Sequence, residues 1–356
     1  MMLRNIKQAT GAMISAAGLI PIISSLYRTT YPLPTRVLYS HQVVARSDGL
    51  AEFLQMLGHF SVEELETRIS YLKKHYVFVT LDEYVSLFRE RRKPSFPSLS
   101  LTFDDGHRNL YTNVYPLLKK YSIPATIFLT TGCVENHTVL SQDQLIYMFG
   151  KTKIDSFTHP ALFNKTYFLR NENERLATFR DINAQLKKMF HKDRLQAIEQ
   201  LQAILNTDLR DIHETIRMLS WSEIKEMYES RLVSFGAHTV SHPILTRIPP
   251  EKTRYEIEIP KLQIEQQLGE EVRFFAYPNG SISDYDESVK TMVKEAGYTL
   301  AFTTVEFTGY AYDEYEMPRY CFERGDSFNG FALKMSGFHD LMRTAKNWAR
   351  REKGYR

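Results

Sequence analysis

An alternation of strand-like and helix-like segments runs through this chain of 356 residues and leaves few folds open to it. Short runs rich in β-branched and aromatic residues occupy 36–40, 77–80, 98–103, 125–129, 232–237, 273–277 and 299–304. Helical spacing of apolar residues fills 61–75, 81–91, 114–121, 222–230, 251–268 and 284–296. Two of these carry capping signals, Ser61 with Glu64 three residues on, and Ser222 ahead of Glu223 and Glu226. Strands repeatedly separated by helices pair in parallel, which predicts an α/β fold, either a barrel or a doubly wound sheet, with its helices outside. Over 134–219 the rhythm lapses into charged helical stretches with few strands. This reads as a helical insertion on the same fold, beside the active site, because long excursions sit on loops.

The formal charge of +3 is too small to point to nucleic acid. Cys133 and Cys321 match no metal-ligand spacing; they could pair, or stay buried as free thiols. The termini differ from the middle. Arg4 and Lys7 precede an apolar run over 11–26, interrupted by Pro21. That is shorter than the about 20 apolar residues of a spanning helix, and no small-x-small cleavage site follows, so residues 1–30 read as a signal, an anchor or an interfacial segment. Residues 331–356 mix Phe331, Leu333, Met335, Phe338, Leu341 and Trp348 with Arg343, Lys346, Arg350, Arg351, Lys353 and Arg356. They predict a basic amphipathic helix, lying on an anionic membrane surface or docked on the main domain, 31–330. On this reading the protein is membrane-associated or belongs to the cell envelope.

Chemistry enters at the strand ends. Leu101-Thr102-Phe103 leads into Asp104-Asp105-Gly106, two adjacent carboxylates and a glycine that permits a sharp turn. Neighbours leaving a strand point in different directions, so one carboxylate can hold a cation while the other moves a proton. By itself Asp-Asp-Gly is also an ordinary turn. A second apolar strand leads into His238-Thr239-Val240-Ser241-His242, whose histidines can converge on one metal if the segment is helical or tightly turned. One carboxylate with two imidazoles makes the three-ligand set of a catalytic cation such as Zn²⁺, and accepts Co²⁺ or Ni²⁺ as well. A third segment, Phe275-Ala276-Tyr277-Pro278-Asn279-Gly280, again ends a strand in a fixed turn that could aim a main-chain N–H at a developing oxyanion.

In order, these three segments resemble the sequence blocks of the polysaccharide deacetylases, the NodB-homology group or carbohydrate esterase family 4, over about 36–320. The resemblance implies a distorted (β/α)7-type barrel, with Asp104 as catalytic base, Asp105, His238 and His242 as metal ligands, and the Tyr277 N–H with Pro278 lining the groove. The commonest subgroup carries an arginine in the third block, where this chain has Ala276. Circularly permuted relatives resembling poly-N-acetylglucosamine deacetylases also lack it. They place an acid histidine early, in a strand reading roughly Leu-x-Tyr-His-x-Val. Leu38-Tyr39-Ser40-His41-Gln42-Val43 is similar, with Ser40 for the tyrosine, so His41 is the general-acid candidate. Arg319 looks like the late arginine that those relatives set beside the base. His107 matches no role, and His339 in the basic tail ranks below His41.

The implied reaction is metal-dependent hydrolysis of the N-acetyl group of an amino sugar in a polysaccharide or lipid-linked glycan. A deformylase, another deacylase on a lipid-linked sugar, and a non-catalytic glycan-binding barrel remain as alternatives.

Overall fold

The computed structural model describes residues 18–30, 35–45, 49–92, 94–134, 138–159, 165–209, 214–306, 313–324 and 327–352. Its strands are β1 (Arg36–Ser40), β2 (Val43–Val44), β3 (Phe60–Ser61), β4 (Val77–Phe78), β5 (Ser98–Phe103), β6 (Ala125–Leu129), β7 (Ser156–Thr158), β8 (Thr166–Phe168), β9 (Val233–Ala237), β10 (Phe274–Ala276), β11 (Leu300–Phe302) and β12 (Tyr320–Cys321). The main sheet runs β11-β10-β9-β6-β5-β1-β12, parallel throughout, with β4 beside the start of β5. Every residue of β5 and β6 is buried, as expected of parallel strands covered on both faces.

Residues around β12 join the two edges of this sheet. Met317 N–H donates to the Ala301 carbonyl (2.8 Å) and Thr303 N–H to that of Met317 (2.9 Å), while Phe322 N–H donates to the Tyr39 carbonyl (2.8 Å). One segment is thus bonded to β11 on one side and β1 on the other, so the curled sheet meets itself as a barrel. β12 is missing from the sequence reading because two residues after a proline carry no periodicity.

Capping chemistry sets where the covering helices begin. Ser61 and Glu64 make a reciprocal capping box for helix Val62–His75, and Thr80 and Glu83 do the same for Leu81–Arg89. The cap of helix Trp221–Glu229 is Ser220, not Ser222: Glu223 N–H reaches the Ser220 hydroxyl, and the Glu223 carboxylate returns to the Ser220 N–H. The three-residue spacing of the box excludes Ser222, which lies one residue before that glutamate.

Within the inserted stretch, helices Ser141–Lys151, Glu172–Leu186 and His191–Leu205 accompany the hairpin β7–β8. Leu145, Phe149, Phe179, Ile182 and Leu201 form an apolar cluster apart from the barrel core, and Leu50, Phe53 and Leu54 of helix Gly49–Leu57 complete it. That last helix went unassigned from sequence.

The C-terminal segment forms two helices, Phe328–Met335 and Phe338–Glu352. Between them Gly337 takes φ +89°, and a Cβ there would lie 2.4 Å from the Tyr27 ring. Phe331 and Met335 enter the main barrel core, and Leu333 is also buried. The buried Arg36–Asp340 pair (2.7 Å) fixes the second helix to β1. These residues dock on the barrel. The side chains of Lys346, Trp348, Arg350 and Arg351, and residues 1–17, Lys353 and Arg356, lie outside the described residues. Cys133 and Cys321 are both free thiols.

Candidate active site

Parallel register lines up the strand ends on one rim. Ser40 pairs with Phe103, so His41 and Asp104 leave the barrel side by side; Leu129 pairs with Ala237, so His238 follows at the same level. A cavity of about 320 Å³ opens there, lined by His41, Asp104, Asp105, His238 and His242 from the barrel and by Phe179, Asn183 and Lys187 from the insertion.

The structure brings Asp105, His238 and His242 together. Asp105 Oδ1 lies 3.5 Å from His238 Nε2 and 3.4 Å from His242 Nε2, and one ligand atom from each residue falls within 4.8 Å of the others. Backbone geometry achieves this convergence. Asp105 (φ +76°) and Gly106 (φ +87°) take consecutive left-handed conformations, and Thr239 (φ +69°) and His242 (φ +57°) fold the histidine segment into a tight turn instead of a helix. That turn is held by Glu256, whose carboxylate accepts from Val240 N–H, Ser241 N–H (2.8 Å each) and Ser241 Oγ (2.6 Å).

Orientation of the ligands follows from their other bonds. His238 Nδ1 lies 2.7 Å from the Ala276 carbonyl, which can only accept, so the ring carries its proton on Nδ1 and presents the Nε2 lone pair to Asp105. Burial, with His238, Arg194 and Lys187 nearby, holds His242 well below the ordinary histidine value, in the neutral form a cation requires. Asp105 Oδ1 is buried and has no hydrogen-bond partner among the described residues. A buried carboxylate oxygen facing two acceptor nitrogens is unfavourable without a cation among them, so the donor set fits a divalent metal.

Asp104 points elsewhere. Its two oxygens each accept from Arg319, Nη1 and Nη2 at 2.7 Å, in a fork-to-fork pair. Arg319 is fully buried inside the barrel, where Nε donates to the Thr303 carbonyl (3.1 Å) and the guanidinium lies 4.8 Å from the centre of the Tyr39 ring. Burial pushes the Asp104 carboxyl up, but Arg319, with His238 and His41 adding to it, brings it below the usual carboxylate value. Arg319 thus reaches the base from the residue before β12 and not from the third block, where Ala276 leaves no guanidinium.

His41 stands across the groove, half-buried, with Nδ1 3.2 Å from Glu323 Oε1. Burial opposes its charge, yet the hydrogen bond to Glu323 and the carboxylates of Asp105 and Asp104 push it up to about 9. His107 is buried beneath the site: Nε2 meets Asp143 Oδ2 at 2.7 Å and Gln42 Nε2 at 2.9 Å, and Nδ1 is 3.9 Å from Asp105 Oδ2. It ties the insertion to the first block. His339 sits on the C-terminal helix and does not line the groove.

The Tyr277 reading needs correction. Tyr277 N–H donates to the Phe302 carbonyl (3.0 Å), extending the β10–β11 pairing by one residue, and its ring is buried against Tyr285. That N–H is therefore engaged in the sheet, and neither Tyr277 nor Pro278 lines the groove. Asn279 does, with φ +60° and an N–H that meets no acceptor among the described residues. Of the supporting residues absent from the sequence reading, Glu323 sits four positions after Arg319 and was within reach. Glu256 and Asp143 lie on helices with no local signal.

The comparisons agree with this geometry. A family model described as polysaccharide deacetylase matches residues 91–301. A poly-beta-1,6-N-acetyl-D-glucosamine N-deacetylase from Staphylococcus epidermidis is 32% identical over 145 residues, covering 36% of this chain and 50% of that protein. One from Staphylococcus aureus is 37% identical over 109 residues, covering 28% and 37%. The chain thus spans half or less of the length of these curated relatives. Among solved structures, the Streptococcus pyogenes deacetylase PplD in complex with acetate aligns at a TM-score of 0.55 and 18% identity, over 85% of this chain and 97% of that one. IcaB from Ammonifex degensii aligns at 0.54 and 21%, over 85% and 97%. At such identities the two structures speak for the fold alone. The matched blocks, the barrel and the convergence of their residues on one rim lead to a single assignment: this chain belongs to the polysaccharide deacetylase family.

Proposed function

We propose that this protein is a metal-dependent N-deacetylase that hydrolyses the N-acetyl group of an amino sugar in a glycan, with polymers of N-acetylglucosamine as the first substrate class to test. The observation that carries the reading is the orphaned, buried Asp105 Oδ1 between His238 Nε2 and His242 Nε2, next to an Asp104 held by Arg319. A divalent cation there, Zn²⁺ by donor chemistry and Co²⁺ or Ni²⁺ as alternatives, supplies Lewis-acid polarisation of the amide and lowers the pKa of a water. Asp104, kept ionised by Arg319, takes the proton of the attacking water. Asn279, which lines the groove and whose N–H meets no acceptor among the described residues, would supply the main-chain donor to the developing oxyanion. His41, kept protonated by Glu323, donates to the leaving amine, so that a free amino sugar and acetate depart.

The test is bound metal by elemental analysis. Wild-type protein is expected to carry one divalent cation per chain and His238→Ala/His242→Ala none, with acetate released from N-acetylglucosamine oligomers faster than formate from their N-formyl counterparts. Metal-free wild type after reconstitution with Zn²⁺ or Co²⁺ would overturn the reading.

We place the protein at a membrane surface as part of the same proposal. Leu19, Ile22 and Leu26 are exposed on and beside helix Ile20–Thr30, and Met342 is exposed on the C-terminal helix that packs against it. Among the described residues no helix is long and apolar enough to cross a membrane. An exposed apolar stripe next to a basic helix suits an anionic interface. Full-length protein is expected to float with anionic vesicles and Ile22→Glu/Leu26→Glu to stay behind; equal flotation would remove this placement.

A further inference from the structure

Buried arginines in this protein have partners that account for them, with one exception. Arg36 and Arg319 each meet a carboxylate at 2.7 Å, and Arg68 lies over the Phe60 and Phe331 rings. Arg194, in the insertion helix His191–Leu205, is 7% exposed and has neither among the described residues. Its Nε makes no hydrogen bond, and Nη2 donates to His191 Nδ1 (3.2 Å), a neutral acceptor that cannot balance the charge. Burial, with Arg194 and Lys252 nearby, holds that histidine down at about 4. Lys187 lines the same small cavity with no direct ion-pair or hydrogen-bond partner among the described residues; Asp284 and Asp105 act on it only at longer range, and neither lines the cavity. Two cations that share a cavity without an anion are costly to bury, and the cost is removed when an anion enters.

The other side of the cavity is also electropositive. Ser141 and Gln142, the first residues of helix Ser141–Lys151, line it. The N-cap of that helix is Leu140, which provides no side-chain acceptor, so no side chain caps the first N–H groups of this 11-residue helix, and its first two residues line the cavity. The acid of that first turn, Asp143, is turned away to His107 and Gln42. The space measures about 20 Å³, enough for one oxygen of an oxyanion, and it is continuous with the catalytic groove, which shares Gln142, Asn183, Lys187, His242 and Asn279 with it and leaves room for the rest of the group.

We propose that the insertion builds a subsite for a compact oxyanion, a carboxylate or phosphate group, held by Arg194, Lys187 and the N-terminus of helix Ser141–Lys151, and entered from the groove beside His242. Two sources share this chemistry: acetate released by hydrolysis, and an acidic substituent carried by the glycan. Only that choice of sources rests on the deacetylase reading; anion binding itself follows from the unpaired cations.

The experiment is calorimetric titration of the full-length, metal-free protein with inorganic phosphate and, separately, with acetate, at low ionic strength. Chelating the metal beforehand removes the other partner an anion could find. Saturable binding is expected, weakened at least tenfold in Arg194→Met and in Lys187→Gln. Arg194→Met is further expected to melt higher than wild type in anion-free buffer, because it deletes an unpaired buried charge, and to lose the upward shift that phosphate gives wild type. Lys187 is half-buried, so Lys187→Gln keeps the test decisive if Arg194→Met fails to fold. Acetate binding at least as tight as phosphate assigns the subsite to the product; phosphate binding at least tenfold tighter assigns it to an acidic substituent. No saturable binding to wild type, or unchanged affinity in both variants, overturns the proposal. Failure of the deacetylase reading would show separately, as absence of metal on elemental analysis.

Discussion

Asp104→Asn is expected to lower kcat by about 10²–10⁴-fold, the usual worth of a positioned general base, while the bound cation stays at the wild-type level. The two carboxylates of the Asp-Asp pair leave β5 in different directions, and this separation makes the prediction sharp. Asp105 faces His238 and His242, whereas Asp104 has both oxygens in the Arg319 fork. An asparagine keeps the shape of the side chain and one acceptor oxygen for Arg319, but cannot take a proton from water. Asp105→Asn should behave differently, losing the cation together with activity. Steady-state kinetics alongside metal analysis on both variants separates the roles. Activity of Asp104→Asn within tenfold of wild type would mean that another group is the base.

The second large effect is expected at Arg319. Removing one partner of a fully buried ion pair leaves the other charge uncompensated and costs about 3–5 kcal/mol. Arg319→Met should therefore destabilise the fold by that order, read by denaturant unfolding. Its pH dependence has a definite sign. In the wild type the Asp104 carboxyl is held below its ordinary value, so the pair adds stability above the unfolded carboxylate pKa, and that stability is lost as pH falls through the lower folded value. Without the guanidinium, the burial that raises the Asp104 carboxyl loses its main opponent. The acid limb of kcat/KM, which needs Asp104 ionised, should then move to higher pH. Arg319→Lys should rescue little, since an ammonium cannot fill two parallel hydrogen bonds. Much of the lost stability should return in Arg319→Met/Asp104→Asn, because that double variant leaves no buried charge behind. An acid limb that does not move would show Arg319 to be structural only.

Much of the fold was legible because parallel strands and their covering helices are local patterns. β5 alternates Ser or Thr with Leu or Phe, β6 is apolar but for Thr126, and Ser61 with Glu64 announces a helix through spacing alone. The chemistry-bearing residues were legible for the same reason, since Asp104-Asp105-Gly106 and His238 to His242 are contiguous segments at strand ends. What failed depended on partners remote in sequence. Whether a main-chain N–H in the third block is free depends on where β11 lies, and the Phe302 carbonyl takes that of Tyr277. The barrel meets itself through β12, whose two residues gain meaning only from the edges they join. Phe331 and Met335 read equally well as a membrane face or a docked one, and burial in the barrel core decides for docking.

The sequence by itself determined the order of elements, the strand ends that carry acid and imidazole groups, and the residue types able to hold a cation, because each is written in a few consecutive positions. Only the tertiary structure decided that Arg319 grips Asp104, that Glu323 raises His41, that Glu256 fixes the histidine turn, and that Arg194 lies buried without an acid. Those relations join residues as much as 282 positions apart, and their strength comes from burial and placement, which no local pattern encodes.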